Sequence, residues 1–212
     1  MGRTILFDLD GTITDSGEGI INCATLALEH FGLPIPNKNA MRVFVGPPLH
    51  KTLMEFGVPE DRTDEAIAVF RSRYTTVGIL ENVPYPGIGE LLSALRQRGH
   101  RLMVATSKPE NMAHQVLDRF DLSQYFDIIC GATLDHSRVS KEDVIAYLLS
   151  TCDAGADVIM VGDTHYDVEG AAAHGIETIG VSWGYGKVED MVKAGAKAIV
   201  HTMEELLQVL DA

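Results

Sequence analysis

TILFDLDGT, residues 4–12, runs a short apolar segment into two aspartates two positions apart, with Gly-Thr directly behind them. Thr4–Phe7 has the composition of a buried strand, and residues i and i+2 of an extended chain share a side. Asp8 and Asp10 therefore emerge together where that strand ends, and two carboxylates so placed need a neutralising partner.

Working outward, similar runs recur: RLMVAT at 101–106, DIIC at 127–130, DVIMVG at 157–162, IETIGV at 176–181 and KAIV at 197–200. Between them apolar residues fall at helical spacing, as in Ala113, Val116, Leu117 and Phe120, or Met203, Leu206, Leu207 and Leu210. Strands alternating with helices predict an α/β fold with a doubly wound parallel sheet, whose ligands sit beyond the carboxyl ends of the strands.

Residues 15–84 break this rhythm. No strand stands out there, but three helical stripes do: Ile20, Ala24, Ala27, Leu28 and Phe31; Leu49, Leu53 and Phe56; Ile67, Phe70, Tyr74 and Val77. Gly17 and Gly19 on one side, and Pro84, Pro86 and Gly87 on the other, suit turns and hinges. The expected organisation is a core of residues 1–14 and 85–212 with an inserted α-helical cap at 15–84.

Composition narrows the function. Of the 212 residues, 46% are hydrophobic and 22% charged, as in ordinary globular proteins, and no apolar run approaches the 18 or so residues of a membrane span. A net charge of −13 opposes binding to a nucleic acid polymer or an anionic membrane. A small anionic substrate then needs a cation or a lysine supplied locally. With no basic and apolar leader at the start, the expected location is cytoplasmic. Cys23, Cys130 and Cys152 lack metal spacing and read as free thiols; His30, His50, His100, His114, His136, His174 and His201 are scattered, and His165 reads as a loop histidine.

The polar stations fall at strand ends. Asp8 and Asp10 follow the first strand, Thr106 and Ser107 close RLMVAT, and Gly162-Asp163 closes DVIMVG, with Asp167 four residues on. Lys141 opens a helix that Ser140 caps. Three or four carboxylates about 4 Å apart repel by roughly 4 kcal/mol per pair at an effective dielectric of 20, so they protonate or recruit a cation. An all-oxygen donor set points to Mg²⁺. Thr106, Ser107 and Lys141 are suited to a phosphoryl group, and Pro109 suits the first turn of a helix whose N-terminus favours anions.

The stations D8-L-D10-G-T, T106-S-K, K141 and G162-D163-T-H-Y-D167, in this order, resemble the four motifs of haloacid-dehalogenase-superfamily phosphatases. VGPPL at 45–49, ENVPYPG at 81–87, ATSKPE at 105–110 and GVSWGYG at 180–186 resemble the phosphoglycolate phosphatase and 5′-nucleotidase-like branch. The resemblance covers essentially the whole chain. It implies an Mg²⁺-dependent phosphomonoesterase acting on a small phosphorylated metabolite through an aspartyl-phosphate, as a monomer or homodimer.

In that scheme Asp8 attacks phosphorus, and Asp10 protonates the leaving alcohol and then helps activate water. The Asp8 side chain, the Asp10 carbonyl and Asp163 ligate Mg²⁺. Lys141 neutralises phosphoryl charge, Thr106 and the backbone near Gly11 and Ser107 bind the remaining oxygens, and Asp167 orients Lys141 or a metal-bound water. Arg42 is read either as a specificity residue, with the turn at 45–48, or as a solvated helix residue; Trp183 lines the site or packs beneath it. A sugar phosphomutase of the same superfamily is the alternative. A receiver domain fits poorly, since its phosphoacceptor follows a middle strand and a helical insertion of about 70 residues has no place in it; a non-catalytic phosphate-binding protein fits poorly because every expected catalytic residue is present.

Overall fold

The computed structural model describes residues 2–135 and 137–211, so His136 lies outside the described residues. Six strands form one parallel sheet: β1 (Thr4–Phe7), β4 (Arg101–Pro109), β5 (Ile128–Ala132), β6 (Val158–Gly162), β7 (Glu177–Val181) and β8 (Ala198–Val200), ordered β5-β4-β1-β6-β7-β8. Side chains alternate across it, as period-2 geometry requires. Leu6, Met103 and Met160 pack with Val144, Ile145, Leu148 and Ala171 of α7 (Lys141–Thr151) and α8 (His165–Ala172). On the other face Ile5, Phe7, Val104 and Val161 pack with α5 (Ile88–Gln97), α6 (Glu110–Arg119) and α10 (Met203–Leu210). Both faces are covered, which is why the strands read as continuous apolar runs.

Register decides where the site forms. Phe7 pairs with Val104 of β4 on one side and Val161 of β6 on the other. The three central strands thus reach the carboxyl edge level with one another, and the residues just beyond (Asp8, Thr106, Asp163) converge there. β1 is also where chain order reverses across the sheet, the position at which open α/β sheets bind ligands.

β4 extends three residues past the run read from sequence, and its pairing with β5 shifts between Thr106 and Pro109. Pro109 ends this irregular strand instead of entering a first helical turn, because α6 starts at Glu110.

Residues after β1 make a tight turn, with Gly11 N–H donating to Thr14 O at 2.8 Å and Gly11 at φ +86°. Two short strands absent from the sequence reading, β2 (Thr14–Asp15) and β3 (Val83–Pro84), then pair antiparallel. Between them lie α1 (Gly17–His30), α2 (Lys38–Met41), α3 (Leu49–Glu55) and α4 (Thr63–Tyr74), packed around Ala24, Leu28, Leu53, Ile67 and Phe70. Val77, expected on the α4 stripe, is exposed, because the helix ends at Tyr74 and the chain tightens into a 3₁₀ turn at Gly78–Leu80. The remaining helix, α9 (Val188–Ala194), follows the β7 loop. No helix among the described residues is long and apolar enough to cross a membrane.

Candidate active site

Asp8, Asp10 and their setting come from one local device. Leu9 and Ile13 are fully buried anchors. They hold the turn while Asp8 and Asp10, on either side of Leu9, are turned away from the apolar layer. Asp8 continues the sheet ladder by donating its N–H to Val161 O at 2.9 Å, and its Oδ1 accepts the Leu9 N–H at 2.7 Å.

Lys141 links the stations. Its position is fixed by the capping box at the start of α7, where Ser140 Oγ accepts from Asp143 N and Asp143 Oδ2 accepts from Ser140 N. Gly170 lets α8 pass close: a Cβ there would fall 2.7 Å from Lys141 Cβ. The Lys141 Nζ then lies 2.8 Å from Asp8 Oδ1 and 2.8 Å from Asp167 Oδ1, and donates to Ala105 O at 2.8 Å. Asp167 approaches Lys141 as an ion pair and not as an aligned hydrogen bond. Its other oxygen caps α8, accepting from Thr164 N at 3.0 Å and Thr164 Oγ1 at 2.8 Å. Helix cap and lysine partner are one residue here, and Asp167 is fully buried, not a solvated acid of the first turn.

Asp163 sits in a cradle. Thr12 Oγ1 donates to its Oδ1 at 3.1 Å and Tyr185 N–H to its Oδ2 at 2.7 Å. A Cβ on either Gly11 or Gly184 would lie 2.3 Å from Asp163 Oδ2, so only glycine fits at these two positions. Asp8, Asp163 and Asp167 offer oxygens all within 4.8 Å of one another, buried together. Burial raises the Asp8 carboxyl to about 6 despite Lys141, and raises Asp163, further pushed by Asp167 and Asp8, to about 8. Such a cluster suits a hard divalent cation, which would relieve this repulsion. Asp167 is spent on Lys141 and Thr164, which leaves Asp8 and Asp163 as the side chains able to ligate.

The pairing missed in the sequence is Lys108. Its buried Nζ contacts both oxygens of Asp10, at 2.8 and 2.7 Å, and lies 5.0 Å from the Tyr74 ring centre. Burial alone would lower the ammonium, but the Asp10 charge and Tyr74 outweigh it, and Lys108 stays protonated above the ordinary lysine range. The lysine was in plain view in T106-S-K; the irregular end of β4, which turns it toward Asp10, was not. Thr106 is buried with its Oγ1 accepting from Lys108 N at 3.3 Å, and also steadies the Asp8 carboxylate. Ser107 is half-buried and lines a cavity of about 130 Å³ between core and insertion. Asp10, Lys108 and Met112 line it from the core; Phe44, Phe70, Tyr74 and the turn Gly46–Pro48 line it from the insertion.

Arg42 lies off this cavity: it donates to Gly184 O at 3.0 Å and covers the Tyr185 ring at 4.5 Å. Trp183 packs on the Asp8 loop, its Nε1 donating to Thr12 O at 3.1 Å. His165 opens α8, with its ring against Tyr166.

A buried carboxylate beside a lysine, a second acid on the same turn and a buried acidic pocket, all at the switch point of a parallel sheet, match the stations of a phosphoryl-transfer hydrolase. The chain belongs to the family described as haloacid dehalogenase-like hydrolase, whose model matches residues 5–181. It is 44% identical over 211 residues to the tyrosine-protein kinase PtkA of Mycobacterium tuberculosis, covering 98% of this chain and 72% of that protein. A 5′-nucleotidase of Pseudomonas aeruginosa is 38% identical over 210 residues, covering 98% and 95%. Relatives at 30–31% identity are named phosphoglycolate phosphatases, in keeping with the branch the motifs resemble. Among solved structures, a predicted phosphatase from Clostridium acetobutylicum superposes with a TM-score of 0.96 at 40% identity, covering 100% of both chains. The family and the relatives named nucleotidase or phosphatase agree with the phosphatase class read from the motifs, while the PtkA relative is named a kinase.

Proposed function

We propose that this protein is an Mg²⁺-dependent phosphomonoesterase that forms a phosphoryl intermediate on Asp8. The observation that carries the reading is Lys141 Nζ at 2.8 Å from both Asp8 and Asp167, on the same sheet edge as the Asp10–Lys108 pair that lines the cavity. Asp8 Oδ1 is held by Leu9 N–H and Lys141, which leaves Oδ2 to attack. The Asp8 Oδ2–phosphorus bond forms as the ester P–O bond breaks. The leaving alkoxide takes a proton from Asp10, which then receives one from the water that attacks phosphorus as the Asp8 Oδ2–phosphorus bond breaks, freeing phosphate and the Asp8 carboxylate. Both Asp10 oxygens contact Lys108, so this transfer requires Lys108 to release one of them. Lys141 and the backbone N–H groups near Gly11 and Ser107 balance charge on the phosphoryl oxygens. Mg²⁺, held by the Asp8 and Asp163 side chains and the Asp10 carbonyl, supplies charge neutralisation and alignment when bound.

The insertion, residues 15–84, serves in this proposal as a cap that closes over the substrate and shields the site. The cavity wall it contributes is aromatic, with Phe70 and Tyr74 stacked at 5.3 Å. That wall favours an ester whose alcohol carries a ring, such as a nucleoside monophosphate, over a short carboxylate-bearing alcohol such as glycolate. The test is phosphate release from a panel of nucleoside monophosphates, phosphoglycolate and sugar phosphates, with and without a chelator. An arm with ATP and a protein tyrosine acceptor addresses the name of the PtkA relative; water is the expected acceptor. Catalysed sugar-phosphate isomerisation without net phosphate release would favour the mutase reading. The proposal includes a cytoplasmic protein that acts on a small metabolite as a monomer or homodimer.

Asp10→Asn is expected to lower the rate by about 10² to 10⁴ for alkyl esters. Nitrophenyl esters, whose leaving group needs little protonation, are expected to lose much less; an equal loss on both would remove Asp10 from the acid role. A second expectation concerns pH. A carboxyl raised to about 8 holds a proton at neutral pH, so a cation must displace it. Mg²⁺ affinity of the chelator-treated protein should therefore weaken as pH falls from 8 to 6, with proton release in calorimetry across buffers of different ionisation enthalpy. An affinity flat over that range would contradict this.

A further inference from the structure

The loop from Ser182 to Lys187, between β7 and α9, touches the acidic pocket with its main chain and the base of the insertion with a side chain. At the pocket, Tyr185 N–H donates to Asp163 Oδ2 at 2.7 Å, and Gly184 is so close that a Cβ would lie 2.3 Å from the same oxygen. At the insertion, the Tyr185 hydroxyl donates to Asp15 Oδ1 and accepts the Gly17 N–H at 2.9 Å. Those are the last residue of β2 and the first of α1. Arg42, following α2, donates to Gly184 O at 3.0 Å and lies 4.5 Å over the Tyr185 ring. Two adjacent residues thus bear on Asp163 and are gripped by the insertion.

Close packing makes this arrangement a transmitter. Gly184 abuts Asp163 with no space for even a methyl group, so a shift of the loop is passed to the carboxylate and not absorbed. Withdrawal of Arg42 with the insertion removes the cation stacked on Tyr185 and the donor on Gly184 O. The Tyr185 N–H that directs the Asp163 oxygen is then less firmly held, and partners of this kind tune metal affinity.

We infer that Arg42 and Tyr185 are positioning residues that couple the placement of the insertion to the affinity of Asp163 for its cation. This rests on the reading of Asp163 as an Mg²⁺ ligand. Neither side chain lines the cavity, and Tyr185 meets Asp163 through its main-chain N–H alone. Because coupling between two equilibria is reciprocal, Mg²⁺ also draws the insertion onto the core.

A second bridge between insertion and core provides the control. Lys51 Nζ, in α3, donates to Tyr166 Oη at 3.2 Å, an exposed contact that does not reach the 182–187 loop. The experiment is calorimetric titration of Mg²⁺ into the chelator-treated full chain, without substrate, for the wild type, Arg42→Ala, Tyr185→Phe, the double variant of these two, Arg42→Lys and Lys51→Ala. Tyr185→Phe keeps the ring and the main-chain donor and removes only the hydroxyl, and Arg42 is an exposed side chain, so each variant is expected to fold; circular dichroism checks this. Arg42→Ala and Tyr185→Phe should bind Mg²⁺ about 3- to 30-fold more weakly, with the double variant losing less than the product of the two. Arg42→Lys, which keeps the charge but not the planar fork, should recover only part of the loss. Lys51→Ala should match the wild type. Amide exchange at Gly17, whose N–H bonds the Tyr185 hydroxyl, should slow when Mg²⁺ is added to the wild type and not to Arg42→Ala.

Unchanged Mg²⁺ affinity in both Arg42→Ala and Tyr185→Phe would overturn the coupling while leaving the metal site intact. An equal loss in Lys51→Ala would overturn it too, by assigning the effect to closure in general. A wild type that takes up no Mg²⁺ would overturn the metal reading and this inference together.

Discussion

Asp8→Asn is expected to abolish turnover while leaving the folded structure in place. The amide keeps the shape of the carboxylate, and Leu9 N–H still has an oxygen to meet. What is lost is the attacking oxygen, and by comparison with other enzymes stripped of their nucleophile the rate should fall by about 10⁵-fold or more. Stability should hold or rise, because burial already disfavours the charged form of Asp8, raising its carboxyl to about 6. Lys141 keeps Asp167 as a partner. The measurement pairs phosphate release at stoichiometric enzyme with a thermal melt. Retained release from a normally folded variant would mean that another group attacks phosphorus.

The strand ends and the acids on them were legible because β-rich runs and their polar terminators are local features, and parallel register does the rest: once Phe7 pairs with Val104 and Val161, convergence of Asp8, Thr106 and Asp163 follows. Lys108 was not legible. Strand alternation assigns it a side, but the register shift between Thr106 and Pro109 reassigns it to Asp10, and such an irregularity has no signature in residue types. The ribbon of β2 and β3 escaped for another reason, since two-residue strands are too short to show a period. Tyr185 escaped because the group it presents to Asp163 is a main-chain N–H, which every residue but proline carries; only the glycines around it, forced by the close approach of Asp163, left a trace in GVSWGYG. Arg42 is an exposed residue, as one of its two sequence readings has it, but sequence gives no sign that its guanidinium meets the Gly184 carbonyl and the Tyr185 ring, far along the chain.

Lys141→Met is expected to disable the enzyme by a route distinct from loss of the nucleophile. The ammonium is buried between Asp8 and Asp167, and its ionised state is held, against burial, by those two carboxylates. Removing it leaves both acids without their cation, and breaking a buried pair in this way costs about 3–5 kcal/mol if the charges persist. Asp8 can avoid part of that cost by taking up a proton. Its carboxyl, already raised to about 6 with Lys141 present, must then rise further, so less of the nucleophile is ionised at neutral pH.

Two signs follow. The acidic limb of the pH–rate profile should move to higher pH in Lys141→Met, on top of a fall in kcat of at least about 10³-fold from lost phosphoryl stabilisation. A raised folded-state carboxyl destabilises the folded protein increasingly as pH climbs from the unfolded value near 3.8 through the raised one, so the melting deficit against wild type should shrink toward pH 4 and widen above pH 6. Adding Asp167→Asn to the variant removes one of the stranded charges; it should restore much of the stability and none of the rate. A Lys141→Met enzyme with wild-type kcat and an unmoved acidic limb would show that Lys141 serves only to tie α7 to the sheet, and that Asp8 is kept ionised by something other than the lysine 2.8 Å away.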